Sequence, residues 1–203
     1  MNTANDIVYL LDDEPEMVKA LTRLLRAKEL EVRGFTSVRA FLEAYRPEGN
    51  ACLVLDVAMP ELDGLELQRR LTNQGILIPI IFLTGHGDIP MSVRAMKAGA
   101  ADFLAKPVDA AALIQAIRSA LQAARARRQT IMETAALAHR QATLTPRQRE
   151  VMNHVVAGKL NKQIAADLGT GEQNIKQHRA HIMKKMGVQS LADLVRAAER
   201  LRG

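Results

Sequence analysis

Ile7-Val8-Tyr9-Leu10-Leu11-Asp12-Asp13-Glu14-Pro15 is the stretch of sequence that decides the fold. Five apolar residues that end abruptly at acids and a proline are typical of a buried strand followed by a turn. Similar apolar runs return further along the chain, each with a polar residue shortly after it. These runs and the residues that follow them are 52–55 with Asp56, 79–83 with Thr84, and 101–104 with Lys106. The pattern predicts a series of buried strands with polar carboxyl ends.

Helical patterns lie between these strands. From residue 16 to residue 28, for example, apolar side chains recur at the spacing of one helix face. The predicted order is strand 7–11, helix 16–28, strand 32–35, helix 38–45, strand 52–55, a helix after Gly64, strand 79–83, helix 91–98, strand 101–104 and a helix from Asp109. Five strands alternating with five helices predict an α/β domain with a parallel, doubly wound sheet.

The rest of the chain is predicted to be helical. No proline or glycine occurs between Asp109 and Pro146, so the fifth helix is expected to continue past the sheet. Its apolar stripe for packing on the sheet is Leu113, Ile117, Ala120, Leu121 and Ala124. Thr145-Pro146 then starts four helices over residues 146–157, 161–168, 172–186 and 190–201. We expect a first domain over residues 1–122, a helical linker over 123–142 and an all-α second domain over 143–203.

The charge is unevenly distributed along the chain. Residues 1–122 hold 13 Lys and Arg against 16 Asp and Glu, whereas residues 123–203 hold 15 against 6. An acidic first part and a basic second part indicate different partners, with a polyanion favoured for the second. No apolar run approaches the ~20 residues that span a bilayer, so a soluble cytoplasmic protein without a membrane partner is expected. The single cysteine, Cys52, lies in an apolar run and is expected to be a buried packing residue.

The polar strand ends predict an acidic pocket. In a doubly wound sheet, ligands bind beyond the carboxyl ends of the strands, where the strand order reverses. If the first and third strands are neighbours, Asp12, Asp13 and Asp56 converge, and carboxylates so close repel one another unless they share a cation such as Mg²⁺. One carboxylate could then be the nucleophile of a phosphoryl transfer, with Lys106 and Thr84 contacting the phosphoryl group. Taken singly, paired aspartates after a strand are usually part of a turn or a helix cap.

Two short helices of the tail predict a helix-turn-helix. Residues 162–168 and 172–186 are joined by Gly169-Thr170-Gly171, and the second helix of such a pair enters the major groove of DNA. On a helical wheel, Ile175, Ile182 and Met186 share one side, flanked by His178 and Arg179. The opposite side carries Gln173, Lys176, Gln177, Ala180 and Lys184. Amides and cations there could read bases or hold phosphates, whereas a basic surface helix without DNA is the alternative.

The first domain resembles the receiver domain of bacterial two-component response regulators over its whole length. The matching motifs are Leu11-Asp12-Asp13-Glu14, Leu55-Asp56-Val57-Ala58-Met59-Pro60 with Asp63-Gly64, Thr84-Gly85-His86-Gly87-Asp88, Met96-Lys97-Ala98-Gly99-Ala100, and Asp102-Phe103-Leu104-Ala105-Lys106-Pro107. The resemblance implies a flavodoxin-like fold and a phosphoacceptor at Asp56. It implies Mg²⁺ held by Asp13, Asp56 and the carbonyl of Ala58, with Asp12 acting mainly through water. It makes Thr84 and Lys106 the phosphoryl contacts and Phe103 the aromatic switch, and it places His86 in a mobile loop, so that a direct role for His86 is only an alternative.

The tail resembles the four-helix LuxR-type DNA-binding domain over residues 144–195. The matching motifs are Leu144-Thr145-Pro146-Arg147-Gln148-Arg149-Glu150-Val151, Val156-Ala157-Gly158, Asn161-Lys162-Gln163-Ile164-Ala165, Ile175-Lys176-Gln177-His178-Arg179 and Lys184-Lys185-Met186. By that resemblance Lys176, Gln177 and Ala180 face bases. Charge and placement make Thr145, Asn161, Lys162, Lys184 and Lys185 candidate phosphate contacts. Gly171 and Asn174 depart from the Ser and Thr common in the family, so the target sequence is not transferable.

The two resemblances together imply a regulator of the NarL/FixJ group, and residues 86–91 are similar to its FixJ/StyR-like branch. The implied function is transcriptional regulation: a sensor histidine kinase phosphorylates Asp56, and a phosphorylation-promoted dimer binds double-stranded promoter DNA, with RNA polymerase as a further candidate partner. No turnover of an external substrate is expected. One alternative is an Asp-nucleophile phosphatase, although such enzymes usually carry a second Asp where this chain has Ala58. The other is a phosphorylation-gated interaction module that binds no DNA.

Overall fold

The computed structural model describes residues 6–46, 49–60, 62–85 and 89–202. The chain forms two compact units that divide between Arg128 and Gln129. The first unit is α/β and the second is helical, as the sequence predicts. The division falls inside the helix α5 (Ala110–Ala142), which runs through the segment predicted to be a linker.

The first unit is built on a five-stranded parallel sheet. Its strands are β1 (Asp6–Leu11), β2 (Glu31–Phe35), β3 (Asn50–Asp56), β4 (Ile80–Thr84) and β5 (Asp102–Ala105), in the order β2-β1-β3-β4-β5. Every predicted strand is confirmed, with ends that differ from the predicted ones by at most two residues. Because β1 lies between β2 and β3, the strand order reverses at β1, and this is the edge where a doubly wound sheet binds its ligand.

Helices cover both faces of this sheet. They are α1 (Pro15–Arg26), α2 (Val38–Ala44), α3 (Gly64–Asn73), α4 (Ile89–Lys97) and the first part of α5. Side chains of alternating strand positions enter two separate apolar clusters, since successive residues of a strand point to opposite faces. One cluster lies under α2, α3 and α4, and the other lies under α1 and α5. The polar ends of the strands are therefore held between two packed layers.

The predicted apolar stripe of α5 is largely confirmed. Leu113, Ile117, Ala120 and Leu121 are buried against the sheet, whereas Ala124 is half-buried. Cys52 is fully buried in the same cluster, as predicted, and burial raises the pKa of its thiol to about 12. A thiol of this kind stays protonated at neutral pH and acts as a small apolar side chain.

The second unit contains the last turns of α5 and four further helices, α6 (Pro146–Val156), α7 (Asn161–Asp167), α8 (Glu172–Met186) and α9 (Leu191–Arg200). All four were predicted, and α8 has the predicted ends. The start of α6 is fixed by a capping box, in which Thr145 accepts from the Gln148 amide and the Gln148 side chain accepts from the Thr145 amide. The end of α8 is fixed by Gly187, whose φ of 68° lies in the left-handed region that favours glycine.

Candidate functional site

The acidic residues of the first unit meet at the carboxyl edge of the sheet. Asp12 directly follows β1, and Asp56 is the last residue of β3, which is the neighbour of β1. Asp12, Asp13 and Asp56 each offer a carboxylate oxygen, and these oxygens lie within 4.8 Å of one another. Within the described part of the chain, this is the only such group of three or more acidic, histidine or cysteine side chains. The predicted convergence of the three carboxylates is therefore present.

Lys106 brings a cation into this cluster. Its Nζ lies 2.8 Å from Oδ2 of Asp12 and 3.1 Å from Oδ1 of Asp56, with Glu14 at 3.9 Å. The position follows from the sheet, because Lys106 comes directly after β5 and its amide donates to the carbonyl of Thr84. One ammonium thus offsets part of the repulsion between two carboxylates that are almost completely buried.

Burial and charge act against each other in the pocket. Burial raises the pKa of Asp56 above its usual range, and the nearby Asp12 and Asp13 add to this, while the hydrogen bond from Lys106 acts in the opposite direction. Burial alone would lower the pKa of Lys106, but its hydrogen bonds to Asp12 and Asp56 raise it on balance. Lys106 is therefore charged at neutral pH. The pocket still has three carboxylates against one ammonium, so the binding of a further cation is favourable.

The donor set suits a hard divalent cation. The cluster consists of carboxylate oxygens with a backbone loop beside it, and Asp13 is only half-buried, so that solvent can complete a coordination shell. Oxygen ligands with room for water are what Mg²⁺ prefers. One oxygen of Asp12 accepts from the Glu14 amide at 2.9 Å and the other accepts from Lys106. Asp12 is thus held in place by the protein itself.

Two further predicted residues lie on the last two strands. Thr84 ends β4, is buried and pairs with Ala105, whereas Phe103 pairs with Phe82, two residues before that end. The ring of Phe103 is half-buried, with its centroid 6.2 Å from that of Phe82. The predicted alternative role of His86 lies outside the described residues.

Gly64 explains why the segment after Asp56 can lie so close to the strand. Its amide donates to the carbonyl of Val57 at 3.0 Å, and Asp63 caps the helix that begins there by accepting from Leu65. A Cβ at Gly64 would lie 2.7 Å from the carbonyl oxygen of Asp56. The absence of a side chain therefore lets α3 start directly against the end of β3.

The second unit presents the predicted recognition surface on α8. Ile175, Ile182 and Met186 are fully buried. The opposite face is exposed and carries Gln173, Lys176, Gln177, Ala180 and Lys184. The wheel drawn from the sequence therefore has the correct orientation, and the exposed face has the amides and cations that read base edges and phosphates.

The other predicted phosphate contacts differ in whether their side chains already have hydrogen-bond partners within the unit. Lys162 is exposed, but the side chain of Thr145 caps α6, and Asn161 accepts from Arg179 at 2.9 Å. The ammonium of Lys185 donates to the carbonyl of Thr143 at 2.8 Å and to Oε1 of Gln148 at 3.0 Å. Lys185 thus already has two acceptors inside its own unit.

Sequence reasoning missed two arginines that organise the second unit. Arg140, near the end of α5, donates to the carbonyl of Met186 at 3.2 Å, and Arg179 of α8 bonds to Asn161 of α7. Both hydrogen bonds connect residues that are 18 or more positions apart in the chain. No local pattern signals them, although a cation one turn from a helix end is a weak indication of capping.

The comparisons with known families agree with this geometry. Residues 8–118 match the model of the response regulator receiver domain, and residues 142–198 match the model of bacterial regulatory proteins of the luxR family. The chain belongs to the response regulators that join a receiver domain to a LuxR-type DNA-binding domain, and it is a transcriptional regulator. Membership implies a kinase as the source of the signal and DNA as the target.

Individual relatives match nearly the whole chain. Nodulation protein W of Bradyrhizobium diazoefficiens is 48% identical over 96% of this chain and 86% of its own length. The transcriptional regulatory protein FixJ of Azorhizobium caulinodans is 43% identical over 94% of this chain and 90% of its own. A low-resolution structure of the response regulator StyR is 45% identical, covers 97% of this chain and 100% of its own, and has a TM-score of 0.86. The predicted FixJ/StyR-like branch is thereby confirmed.

None of the described helices combines the length and the apolar character that are needed to cross a membrane. The longest of them, α5, has Arg125, Arg127 and Arg128 in its central turns. Even this helix therefore does not have the composition of a membrane span.

Proposed function

We propose that Asp56 accepts a phosphoryl group from a sensor histidine kinase and that this modification controls the binding of promoter DNA by the second unit. The observation that carries the proposal is the cluster of Asp12, Asp13 and Asp56 with Lys106 at the reversal point of the sheet. In this scheme residues 1–122 receive the signal, residues 123–142 connect, and residues 143–203 bind DNA. The protein acts in the cytoplasm.

Asp56 is the nucleophile because its carboxylate lies in the acidic cluster at the end of β3, beside the ammonium of Lys106. Its carboxylate attacks the phosphorus, a new P–O bond forms, and the bond from phosphorus to the imidazole nitrogen of the kinase breaks. Asp12, Asp13, Asp56 and the backbone carbonyl of Ala58 would hold Mg²⁺, which when bound would neutralise charge on the phosphoryl oxygens. Lys106, whose ammonium lies 3.1 Å from Asp56, would exchange a carboxylate partner for a phosphoryl oxygen.

The signal would leave the pocket through β4 and β5. Thr84 would donate to the phosphoryl group and move inward, and Phe103 would follow into the space beside it. The face made by α4, β5 and α5 would then repack, which is how a local change of charge becomes a change of surface. A dimer formed through that face would place two second units on half-sites about one helical turn apart.

At the DNA, Lys176, Gln177 and Ala180 would face the bases, with Gln173 beside them. Amides read adenine and lysines read guanine or hold phosphate. Lys162 and Lys184 are exposed cations that would hold phosphates. Thr145, Asn161 and Lys185 were also predicted as phosphate contacts, but each already has a partner within its own unit. RNA polymerase is a further candidate partner of the DNA-bound dimer.

The test is labelling of the full chain by a small phosphodonor such as acetyl phosphate in the presence of Mg²⁺. The D56N variant should take up no acid-stable, base-labile label, because the amide is not a nucleophile. D63N is the matched control, since Asp63 is an exposed cap of α3 and asparagine caps equally well. Undiminished labelling of D56N would show that the acceptor lies elsewhere. Steady turnover of phosphate esters would favour the phosphatase alternative instead.

A further inference from the structure

We infer that Arg140 and Lys185 form a clamp that positions the recognition helix α8, so that Lys185 acts through the fold rather than as a phosphate contact. The inference rests on DNA binding by the second unit and assigns residues that set its specificity. The clamp joins the last turn of α8 to the segment where α5 ends and α6 begins. Both of its residues belong to the same compact unit.

Lys185 supplies the first joint. Its ammonium donates to the Thr143 carbonyl at 2.8 Å and to Oε1 of Gln148 at 3.0 Å. Gln148 is buried, and the same Oε1 also accepts from the Thr145 amide in the capping box of α6. Two of the three ammonium donors are therefore engaged with fixed acceptors, so that contacting a phosphate would mean giving up bonds that the fold provides.

Arg140 supplies the second joint. Its Nη1 donates to the carbonyl of Met186, the last residue of α8, at 3.2 Å. A cation at this position satisfies a free carbonyl and complements the negative end of the helix dipole. The neighbouring Gly187 leaves the necessary space, because a Cβ there would lie 2.7 Å from the same Nη1. Gly187 thus ends the helix and admits the guanidinium.

The two joints hold one end of the helix that carries the base-reading face. The buried side of α8 is apolar, and apolar packing is non-directional, so it fixes the depth of the helix better than its rotation and axial position. Polar bonds at the last turn are directional and supply that missing constraint. Arg140 and Thr143 also belong to or follow α5, whose end is anchored by Leu137 in the core and by an ion pair between Glu133 and Arg200. A movement of the linker helix would therefore act directly on α8.

Lys184 offers a matched control within the same turn. It is adjacent to Lys185, carries the same charge and is likewise exposed, but its ammonium has no hydrogen bond or ion pair to any residue that the structure describes. Replacing either lysine by methionine removes one charge from the same end of α8. Only the replacement of Lys185 removes a joint of the clamp.

The experiment measures the binding of the full chain, phosphorylated with acetyl phosphate and Mg²⁺, to two duplexes over a range of salt concentrations. One duplex is enriched by the wild-type chain from a random pool, and the other is a scrambled sequence of the same composition. K184M should weaken the binding of both duplexes equally and reduce the slope of log K against log salt by about 0.9 for each bound chain. K185M should keep the wild-type slope, but its preference for the enriched duplex should fall about tenfold, as when one base contact is lost.

Further variants test the clamp even if K185M folds poorly. K185R retains donors for both acceptors and should restore the preference, whereas R140M should lose it, with R128M as the control on the exposed part of the same helix. A reduced slope in K185M, or a wild-type preference in K185M or R140M, would overturn the clamp. Binding of neither duplex by the wild-type chain would contradict DNA binding itself and the clamp with it.

Discussion

The ammonium of Lys106 lies within hydrogen-bonding distance of two carboxylates that would otherwise repel each other. Asp12 is completely buried and Asp56 is 4% exposed, so water screens this repulsion poorly. One positive charge against three negative ones leaves the pocket with excess negative charge. The unmodified pocket is therefore a place where the folded chain gives up stability for reactivity, which is common at functional sites.

The Asp56 carboxylate should make this cost measurable. Its pKa is raised by burial in the folded chain, so ionisation of Asp56 favours the unfolded state. D56N should therefore have a higher free energy of unfolding than the wild type at pH 7. The difference should shrink as the pH falls from above the raised folded pKa to below the ordinary value of about 3.9, where both states bind the proton.

Urea unfolding between pH 4 and pH 8 without divalent cations tests whether D56N has the higher free energy of unfolding. D63N serves again as the control, because its carboxylate is exposed at a helix cap. A D56N variant that is less stable than the wild type at pH 7 would show that Asp56 stabilises the fold and that the account of the pocket is wrong.

The sequence predicts features of the pocket that follow from local patterns, but not those that depend on contacts between distant elements. The convergence of Asp12, Asp13 and Asp56 was predictable because parallel strands bring their carboxyl ends to one edge whatever the details of packing. The joints of Lys106 with Asp12 and of Lys185 with Gln148 were not. They depend on donor–acceptor distances of 2.8 and 3.0 Å between elements that are far apart in sequence, and no local pattern sets such distances.

At the scale of elements, the start of α3 shows the tightest constraint around the pocket. The amide of Gly64 bonds to Val57, and its Cα faces the Asp56 carbonyl and the Phe82 ring. The sequence predicted a helix after Asp63-Gly64 that carries Leu65, Leu67 and Leu71. The closeness of helix and strand was not predictable, because glycine before a helix is equally compatible with a loose turn.

G64A should therefore be destabilised by about 1–3 kcal/mol, the usual cost of forcing an extra carbon into a packed site. The added Cβ would lie 2.7 Å from a backbone oxygen, so the end of β3 must move, and phosphoryl labelling of Asp56 should slow as well. G85A is the control for stability, since a Cβ at Gly85 meets nothing within 4 Å. Chemical unfolding and labelling rates of the two variants, compared with the wild type, measure both effects. Equal stability of G64A and G85A would refute the packing argument.

The helices of the second unit show what the spacing of apolar residues can predict and what it cannot. The ends of α8 were predicted because glycines lie on both sides of it and its apolar residues recur at helical spacing. The other helices were placed to within one or two residues. Periodicity says nothing about which turn of one helix bonds to which turn of another, and for that reason the role of Arg140 was missed.

On the scale of the whole molecule, the formal charge differs between the two parts of the chain, whereas the helix that joins them is continuous. The balance of formal charge is −3 over residues 1–122 and +9 over residues 123–203, and it is 0 and +6 over the compact units 1–128 and 129–203. The compact units divide after Arg128, in the middle of a continuous helix of 33 residues. A helix that continues through a boundary shows no break in its pattern, so the sequence predicted two units but not the residue at which they divide.

Magnesium should stabilise only one of these units. A ligand that binds the folded state raises its stability by about 2.7 kcal/mol at a hundred times its Kd. Calorimetry of the full chain should therefore show a Mg²⁺-dependent rise in the Tm of the first unit, with that of the second unchanged. A D12N/D13N variant, which keeps the shape of the cluster and removes two charges, should lose the rise. An equal shift of both transitions would contradict a dedicated site in the receiver domain.

The central claim is that phosphorylation of Asp56 controls DNA binding, and one measurement tests it most directly. The affinity of the full chain for its enriched duplex is measured with and without acetyl phosphate and Mg²⁺, for the wild type and for D56N at the same protein concentration. Coupling between two sites of a protein is typically worth 5- to 150-fold, so the wild type should bind at least about fivefold more tightly after phosphorylation, and D56N should not respond. Equal affinity of the labelled and unlabelled wild type, or an equal response of D56N, would contradict the account.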